Sequence, residues 1–479
     1  MNKLKLFIEN FLIYGLGGVA SKMVPLIMVP IVTNIMPSTS YYGISDLFHT
    51  IVQFASALAI MGMYDAMYRL FFEKEDENYQ KSVCSTTFIF TLTTSMIVFL
   101  LIILLKDFIS VNILKHKNFI NVVYLIAMAT LVSATNSIVS APTRMQNKRK
   151  VFLVTNIISP VLSYAISIPV LLAGHYLVAL PMAAVISGLT MELIFYILNH
   201  KWFSLRHFDA KLLKPLLVIA IPLLPNFLLY WVFNSCDKIM ITNILGVDAE
   251  GIYAVASKMG QVSQLIYIAF SGGWQFFSFS TMKDSDQVKT NSIVFEYLGV
   301  ISFAATAFIC AGSYLVFKLF FKAEYLSGYI SAPYLFLAPL LQMLFQIAIN
   351  QFLIIKKTWP NMFILGIGAI VNVMLNLILI PVIGIEGASI ATLIGYALAD
   401  FICVVVLCKM KLMVVSKRFI SSVVVFLLFM ISWRFIYTDK FFVGVIVAII
   451  LSLIYILIYK KDILTLLSEL KKGKIMKNE

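Results

Sequence analysis

Residues 33–44 read TNIMPSTSYYGI, and residues 242–252 read TNILGVDAEGI. Thr33-Asn34-Ile35-Met36 followed by Gly43-Ile44 thus recurs as Thr242-Asn243-Ile244-Leu245 followed by Gly251-Ile252. Ten residues beyond each glycine stands a glutamine, Gln53 and Gln261. Farther along, Ile168-Pro169-Val170 recurs as Ile380-Pro381-Val382. The offsets run from 208 to 212, so three separate matches agree on one internal repeat. Self-similarity at a fixed offset means that one structural unit is built twice.

What that unit is made of follows from the residues around it. The chain has 479 residues, of which 61% are hydrophobic and 13% charged. Soluble domains run near roughly 45–50% and 25%. A water-soluble globule, a disordered chain and a coiled coil are excluded. Apolar runs such as 441–459, FFVGVIVAIILSLIYILIY, are continuous, whereas the strands of a membrane barrel alternate. Each run approaches the ~20 residues that cross a bilayer as a helix. Fourteen spans are expected, at about 11–35, 44–68, 83–105, 119–141, 151–173, 176–198, 215–236, 250–275, 293–317, 330–355, 361–383, 387–408, 419–437 and 441–459. One repeat offset holds six spans and their short loops, which returns the chain to the side where it began. The halves are therefore parallel, as in transporters with two lobes around a central cavity. The expected fold is an all-α integral membrane protein. Residues 1–205 form an N-terminal lobe (spans 1–6) and residues 206–410 a C-terminal lobe (spans 7–12). Residues 411–479 add spans 13 and 14 and a basic tail.

Orientation follows from Lys and Arg. With the N-terminus cytoplasmic, 27 of them fall in inside segments and 8 in outside loops, and Lys22 and Lys258 lie within spans. This is the positive-inside bias, and it makes both termini cytoplasmic. The net charge of +14 has the same origin, and no nucleic-acid partner is expected. The opening Met1-Asn2-Lys3-Leu4-Lys5 precedes an apolar run too long for a signal peptide, with no small-residue cleavage site. Five cysteines, without a C-x-x-C pair, suggest neither a disulfide framework nor a zinc site.

The ionisable residues inside spans are the most informative, because such groups are costly in lipid and face an interior or a wet cavity. Lys22 shares a helix face with Gly15, Gly18 and Pro25, and small residues mark a packed face. Asp46, His49, Thr50 and Gln53 form one stripe of span 2 at helical spacing. Its repeat mate, span 8, carries Lys258, Gln261 and Gln264, with Ser257 alongside. Two repeat-related polar stripes suit a water-filled cavity between lobes. Lys22 and Lys258 would bind an anionic group such as a phosphate there, with Gln53, Gln261 and Gln264 lining the same cavity. Alternatively, Lys22 pairs with Asp46 and holds two helices together. Asp46 and His49 would carry protons for coupling, or else hydrogen-bond between helices. Asp65 and Arg69 read as a local i, i+4 pair. Glu192, Glu296 and Asp400 receive no role.

Several chemistries have no motif here. Gly473-Lys474 lacks the upstream glycine of a Walker loop, since Ser468 stands in that place. There is no H-E-x-x-H and no nucleophile elbow. Asp284-Ser285-Asp286 has the D-x-D form of sugar-nucleotide transferases but sits in a short loop without a nucleotide-binding domain. An enzyme is not expected, nor a cofactor or a metal.

The stretch Pro222-Leu-Leu-Pro225-Asn226, Trp231, Asn234-Ser235-Cys236-Asp237-Lys238, Leu245-Gly246, Gly251-Ile252-Tyr253, Ala256 and Lys258 resembles the seventh and eighth spans of the polysaccharide-exporting flippases, the Wzx-type O-antigen and capsule oligosaccharide transporters. Gly15, Gly18, Lys22, Pro30 and Gly43 resemble the start of the same family. The superfamily also holds multidrug exporters and the lipid II flippase. The resemblance implies two six-helix lobes in a V-shaped, MATE-like arrangement that works by alternating access. It implies an undecaprenyl-pyrophosphate-linked oligosaccharide as substrate, moved from the inner to the outer leaflet of the bacterial cytoplasmic membrane. The implied partners are that lipid-linked glycan, membrane lipids, H+ or Na+ as coupling ion, and a polysaccharide polymerase machinery. Lys22 and Lys258 occupy plausible positions for the pyrophosphate. Span 2 offers Asp46 and His49 rather than a mid-depth arginine, which argues against lipid II. A multidrug or toxin cation antiporter is the rival, and two mid-span lysines count against it.

Overall fold

The computed structural model describes residues 22–357 and 359–465. All regular elements among them are helical. In chain order they are α1 (Lys22–Ile35), α2 (Thr39–Ile60), α3 (Met63–Phe71), α4 (Glu77–Leu104), α5 (Lys106–Phe108), α6 (Ile120–Met145), α7 (Arg149–Leu172), α8 (Ala179–Asn199), α9 (Leu213–Ala220), α10 (Leu224–Leu245), α11 (Val247–Ser280), α12 (Gln287–Phe320), α13 (Ala332–Ile354), α14 (Trp359–Ile383), α15 (Ile385–Lys409), α16 (Lys417–Ile436) and α17 (Phe441–Ile458). Short 3-10 and π turns join several of them.

Among the described residues, twelve helical stretches are long and apolar enough to cross a membrane. Two expected spans are not among the twelve. The first is described only from Lys22, so Gly15 and Gly18 lie outside the described residues. The eighth is present as α11, a 34-residue helix whose Lys258, Gln261 and Gln264 lower its apolar content. The fold class is the expected one, and the observed count of twelve stands beside the expected fourteen.

Local chemistry sets the element ends. Ser38 caps α2, its hydroxyl accepting from the Ser40 amide, as N-cap serines do. The same helix ends at Met61 and Gly62, both left-handed, with φ of 51° and 76°. A Cβ on Gly62 would come 2.5 Å from the Ala220 carbonyl oxygen. Glycine there meets both the turn and the close packing of α3 on α9. Asp65 and Arg69 consequently sit on the separate short α3, not on α2.

The helices form two groups. In the first, α2, α4, α6 and α8 pack on one another, with α7 on α8 and with α3 and α9 on the flank. In the second, α10 packs on α14, α14 on α15, α15 on α13, and α13 on α11 and α12. The last two helices extend this second group. Stacked rings of Phe303 and Phe426, 4.6 Å apart, hold α16 to α12, while α17 lies against α12 with Gly444 over Ala311. Between the groups, α2 crosses α11 and α10. The connecting segment after α8 is stitched to the start of α4. The Ser85 hydroxyl donates to the Trp202 carbonyl and accepts from the Ser204 amide, and the Thr86 hydroxyl accepts from the Asp209 amide at 3.0 Å.

Candidate functional site

The two repeat-related glycines meet where α2 crosses α11. A Cβ on Gly43 would stand 2.4 Å from the Val247 carbonyl oxygen, and one on Gly251 2.0 Å from the Thr39 carbonyl oxygen. Only glycine permits this backbone approach. A band of hydrogen bonds seals the same end of the molecule. Asp248 Oδ1 accepts from Ser38 Oγ, Thr39 Oγ1 and the Ser40 amide at 2.9, 2.9 and 3.0 Å. Lys322 Nζ donates to the Met36 carbonyl at 2.6 Å, and Asn34 Nδ2 to that of Phe320 at 3.0 Å.

Just inside this seal sits Asp46. Its carboxylate accepts from Lys238 Nζ of α10 at 2.6 Å and from Lys258 Nζ of α11 at 3.3 Å. The aspartate is 6% exposed and the two lysines 16% and 15%. Charges so deep in a membrane protein persist only when paired or facing a wet cavity. One carboxylate here serves two ammonium groups, and the bridge joins the two helix groups. Lys22 does not pair with Asp46 as the alternative held; its Nζ donates to Gln264 Oε1 at 2.6 Å. The nearer lysines of α10 and α11 take both carboxylate oxygens. His49 is exposed, with its ring edge-on to Phe48.

A cavity of about 310 Å³ continues from the ion pairs. Gln53 enters it from α2, and Asn234, Asp237 and Lys238 from α10. Ser257, Gln261 and Gln264 come from α11, Gln342 from α13, and Thr392 and Tyr396 from α15. The three glutamines singled out in the sequence thus line one space, from both groups. Amide and hydroxyl groups of this kind can both donate and accept, which suits a ligand rich in hydroxyls.

The expected span 7 ends at 236 and puts Asp237 and Lys238 in an outside loop, whereas both lie inside α10. The helix runs on to Leu245 and stops at Gly246, φ 96°. Both charges are tolerated inside it because each has partners on other helices. Asp237 Oδ2 accepts from Tyr253 Oη and, at 3.5 Å, from Thr392 Oγ1. Asn372 Nδ2 donates to Thr392 Oγ1 at 3.1 Å and Asn376 Nδ2 to Asn372 Oδ1 at 3.3 Å. This buried polar chain ties α10, α11, α14 and α15 together. The signal for it was the Asn234-to-Lys238 motif itself, whose polar side chains recur at helical spacing. Glu250, fully buried beside Gly43, was also missed.

Another face of α13 and α15 borders a groove of about 1080 Å³, closed on its far side by α16. Its walls are almost wholly apolar, including Leu337, Leu341, Ile390, Val404 and Phe426. Arg434 crosses it to Glu386 as a two-point ion pair, Nε to Oε1 at 2.5 Å and Nη2 to Oε2 at 2.8 Å. Asp400 lines the same groove and is 7% exposed. A third cavity of about 290 Å³ lies within the first group between α6, α7 and α8, with Asn136, Ser140, Arg144 and Asn156 on its walls. Among the described residues, no three His, Cys, Asp or Glu side chains are grouped to hold a metal.

The fold recurs in solved transporters. The lipid II flippase MurJ, in an inward-closed conformation, superposes with a TM-score of 0.70 at 16% identity, over 94% of this chain and 99% of that one. A multidrug resistance MATE family transporter of the MOP superfamily matches in its inward-facing conformation with a TM-score of 0.61 at 14% identity, over 82% of this chain and 98% of that one. The outward-facing conformation of such a MATE transporter matches at 0.60 and 13%, over 85% and 95%. Among curated proteins none matches in sequence. The profile of the family described as polysaccharide biosynthesis protein matches residues 36–330, a stretch that holds α2 through α12, both glycines of the crossing, and Asp46, Lys238 and Lys258. By that match the chain belongs to the polysaccharide biosynthesis protein family, and its fold is the one seen in the MurJ and MATE structures.

Proposed function

We propose that this protein is a flippase that carries an undecaprenyl-pyrophosphate-linked oligosaccharide repeat unit across a bacterial cytoplasmic membrane, from the cytoplasmic to the outer leaflet. One observation carries the reading: Lys238 and Lys258 meet on Asp46, and Lys238 also stands on the wall of a cavity whose polar lining is largely amides and hydroxyls, among them Gln53, Asn234, Gln261, Gln264, Gln342 and Thr392. Ammonium groups suit a diphosphate, and the amides suit the sugars. The apolar groove beside α16 supplies lodging of the right chemistry for a polyprenyl chain. Residues 1–205 and 206–410 act as the moving lobes of an alternating-access cycle, with 411–479 travelling with the second.

The lysine and arginine distribution puts both termini in the cytoplasm, so the sealed Gly43–Gly251 end faces outward. Lys22, tethered to Gln264, stands toward the cytoplasmic side and meets the head group first. Gln53, Gln261 and Gln264 hold the glycan. Coupling to H+ or Na+ completes the cycle, with Asp46 and His49 as the residues that respond. A cation antiporter is a poorer reading of the same cavity, because Lys238 stands on its wall and the one carboxylate there, Asp237, is already hydrogen-bonded by Tyr253 and Thr392. Handover to a polysaccharide polymerase would follow on the outer side.

The test uses a deletion strain. Membrane lipids are extracted and polyprenyl-pyrophosphate oligosaccharides measured by mass spectrometry, with surface glycan assayed in parallel. Complete lipid-linked units should accumulate while surface glycan disappears. An intact glycan with no accumulation, in a strain lacking any second flippase of this fold, would overturn the reading.

A further inference from the structure

We propose that Asp46 is a resident counter-anion, displaced from Lys238 and Lys258 by the substrate's anionic head, and that this exchange unlocks the Gly43–Gly251 seal. The inference rests on the flippase reading only in taking that head as a diphosphate.

Three observations lead to it. First, the charges are divided between the helix groups. The carboxylate stands on α2, whereas both ammonium groups stand on α10 and α11. Every strand of this ion-pair cluster therefore crosses the boundary that alternating access must open. Second, the cluster is unbalanced. Within ion-pair distance one carboxylate holds both lysines, while Asp237 is hydrogen-bonded instead to Tyr253 and Thr392 and Glu250 is buried nearby beside Gly43, so a ligand of two or more negative charges satisfies the lysines better than Asp46 alone. Third, Asp46 lies three residues from Gly43 on the same helix, just under one turn, a rise of about 4.5 Å. Lys258 lies seven residues from Gly251 on α11, two turns away. Pulling the lysines off Asp46 thus frees the helices close to their tightest contact.

The consequence is a defined order of events. With no substrate, Asp46 neutralises the lysines and draws α2 against α10 and α11. A diphosphate arriving through the cavity takes over Lys238 and Lys258. Asp46 then loses its partners, and a lone carboxylate is unfavourable in a dry helix contact. Hydration of Asp46 as the seal parts relieves that cost. Once the diphosphate leaves outward, the lysines return to Asp46 and the seal re-forms. The empty carrier closes on the outside by default.

The test uses full-length protein in nanodiscs, with inorganic pyrophosphate and geranylgeranyl diphosphate as probes in calorimetric titrations. Asp46→Asn removes the competitor, so it should bind both probes at least about tenfold more tightly than wild type. Asp46→Glu should restore wild-type affinity. In a cysteine-free background, paired cysteines at Thr39 and Val247 should cross-link readily, and several-fold less when Asp46→Asn is added. Unchanged or weaker binding by an Asp46→Asn protein that melts like wild type would overturn the proposal, as would unchanged cross-linking. The flippase reading fails separately: it is sunk if wild type and the Lys238→Gln/Lys258→Gln double variant are equally indifferent to both probes. Lysine-dependent binding that ignores Asp46 sinks the counter-anion role alone.

Discussion

At the scale of single residues, the molecule is governed by where it can place a charge or omit a side chain. Gly251 is the sharpest case, since any Cβ would press on the Thr39 carbonyl. Gly251→Ala should force α11 away from α2, lower the melting temperature in detergent, and reduce flipping at least about tenfold. Wild-type activity and melting in that variant would show the crossing to be looser than described. Arg434 makes a second prediction. Arg434→Met leaves Glu386 in an apolar groove without its partner and should cost about 2–3 kcal/mol of stability. Adding Glu386→Gln should recover much of the loss, because the charge that needed the arginine is then gone; denaturation of the three variants gives the coupling. These residues differ in how legible they were. Lys22, Gln53, Lys258, Gln261 and Gln264 announced themselves as polar groups in apolar runs, and the structure brings all five to one region. Which partner each would take was not legible. From the sequence Asp46 has Lys22 and Lys258 as in-span candidates, with Lys238 read as outside the spans, and sequence spacing along one helix says nothing about reach between helices.

At the scale of elements, periodicity and length placed the helices but not their breaks. The α2–α3 break depends on two consecutive left-handed residues packed under Ala220, a tertiary contact with no local signature beyond one glycine. The end of α10 was misread for a related reason: adjacent Asp237 and Lys238 look like an interface, and only their buried partners make them a helix interior. The added helices α16 and α17 offer an element-level prediction. A chain ending at residue 411 keeps α2, α10 and α11 and so keeps the polar cavity, but it loses one wall of the apolar groove. Such a truncation should still insert in the membrane and still bind inorganic pyrophosphate, yet bind geranylgeranyl diphosphate more weakly than the full chain. Equal affinity for the isoprenoid probe would detach the groove from the lipid tail.

At the scale of the whole molecule, the repeat read from twelve residues became a relation between halves. The connecting segment after α8 is bound to α4 through Ser85 and Thr86. Its covalent continuity is therefore not what orients the lobes. Co-expression of residues 1–208 and 209–479 as separate chains should restore surface glycan to a deletion strain, with both pieces recovered together. Failure of two well-expressed pieces to associate would mean that the link itself sets the geometry. One further consequence lies in the crossing of the glycines. Thr39 and Val247 are themselves separated by the repeat offset of 208. Gly43 meets Val247 as Gly251 meets Thr39, so each half offers the other the same surface, as the two subunits of an isologous dimer do. The contact between these glycines is thus reciprocal, the two halves exchanging equivalent positions. A half-length ancestor could have paired with its own copy at this point, and the aspartate on one side with lysines on the other would be what gene duplication later allowed to diverge.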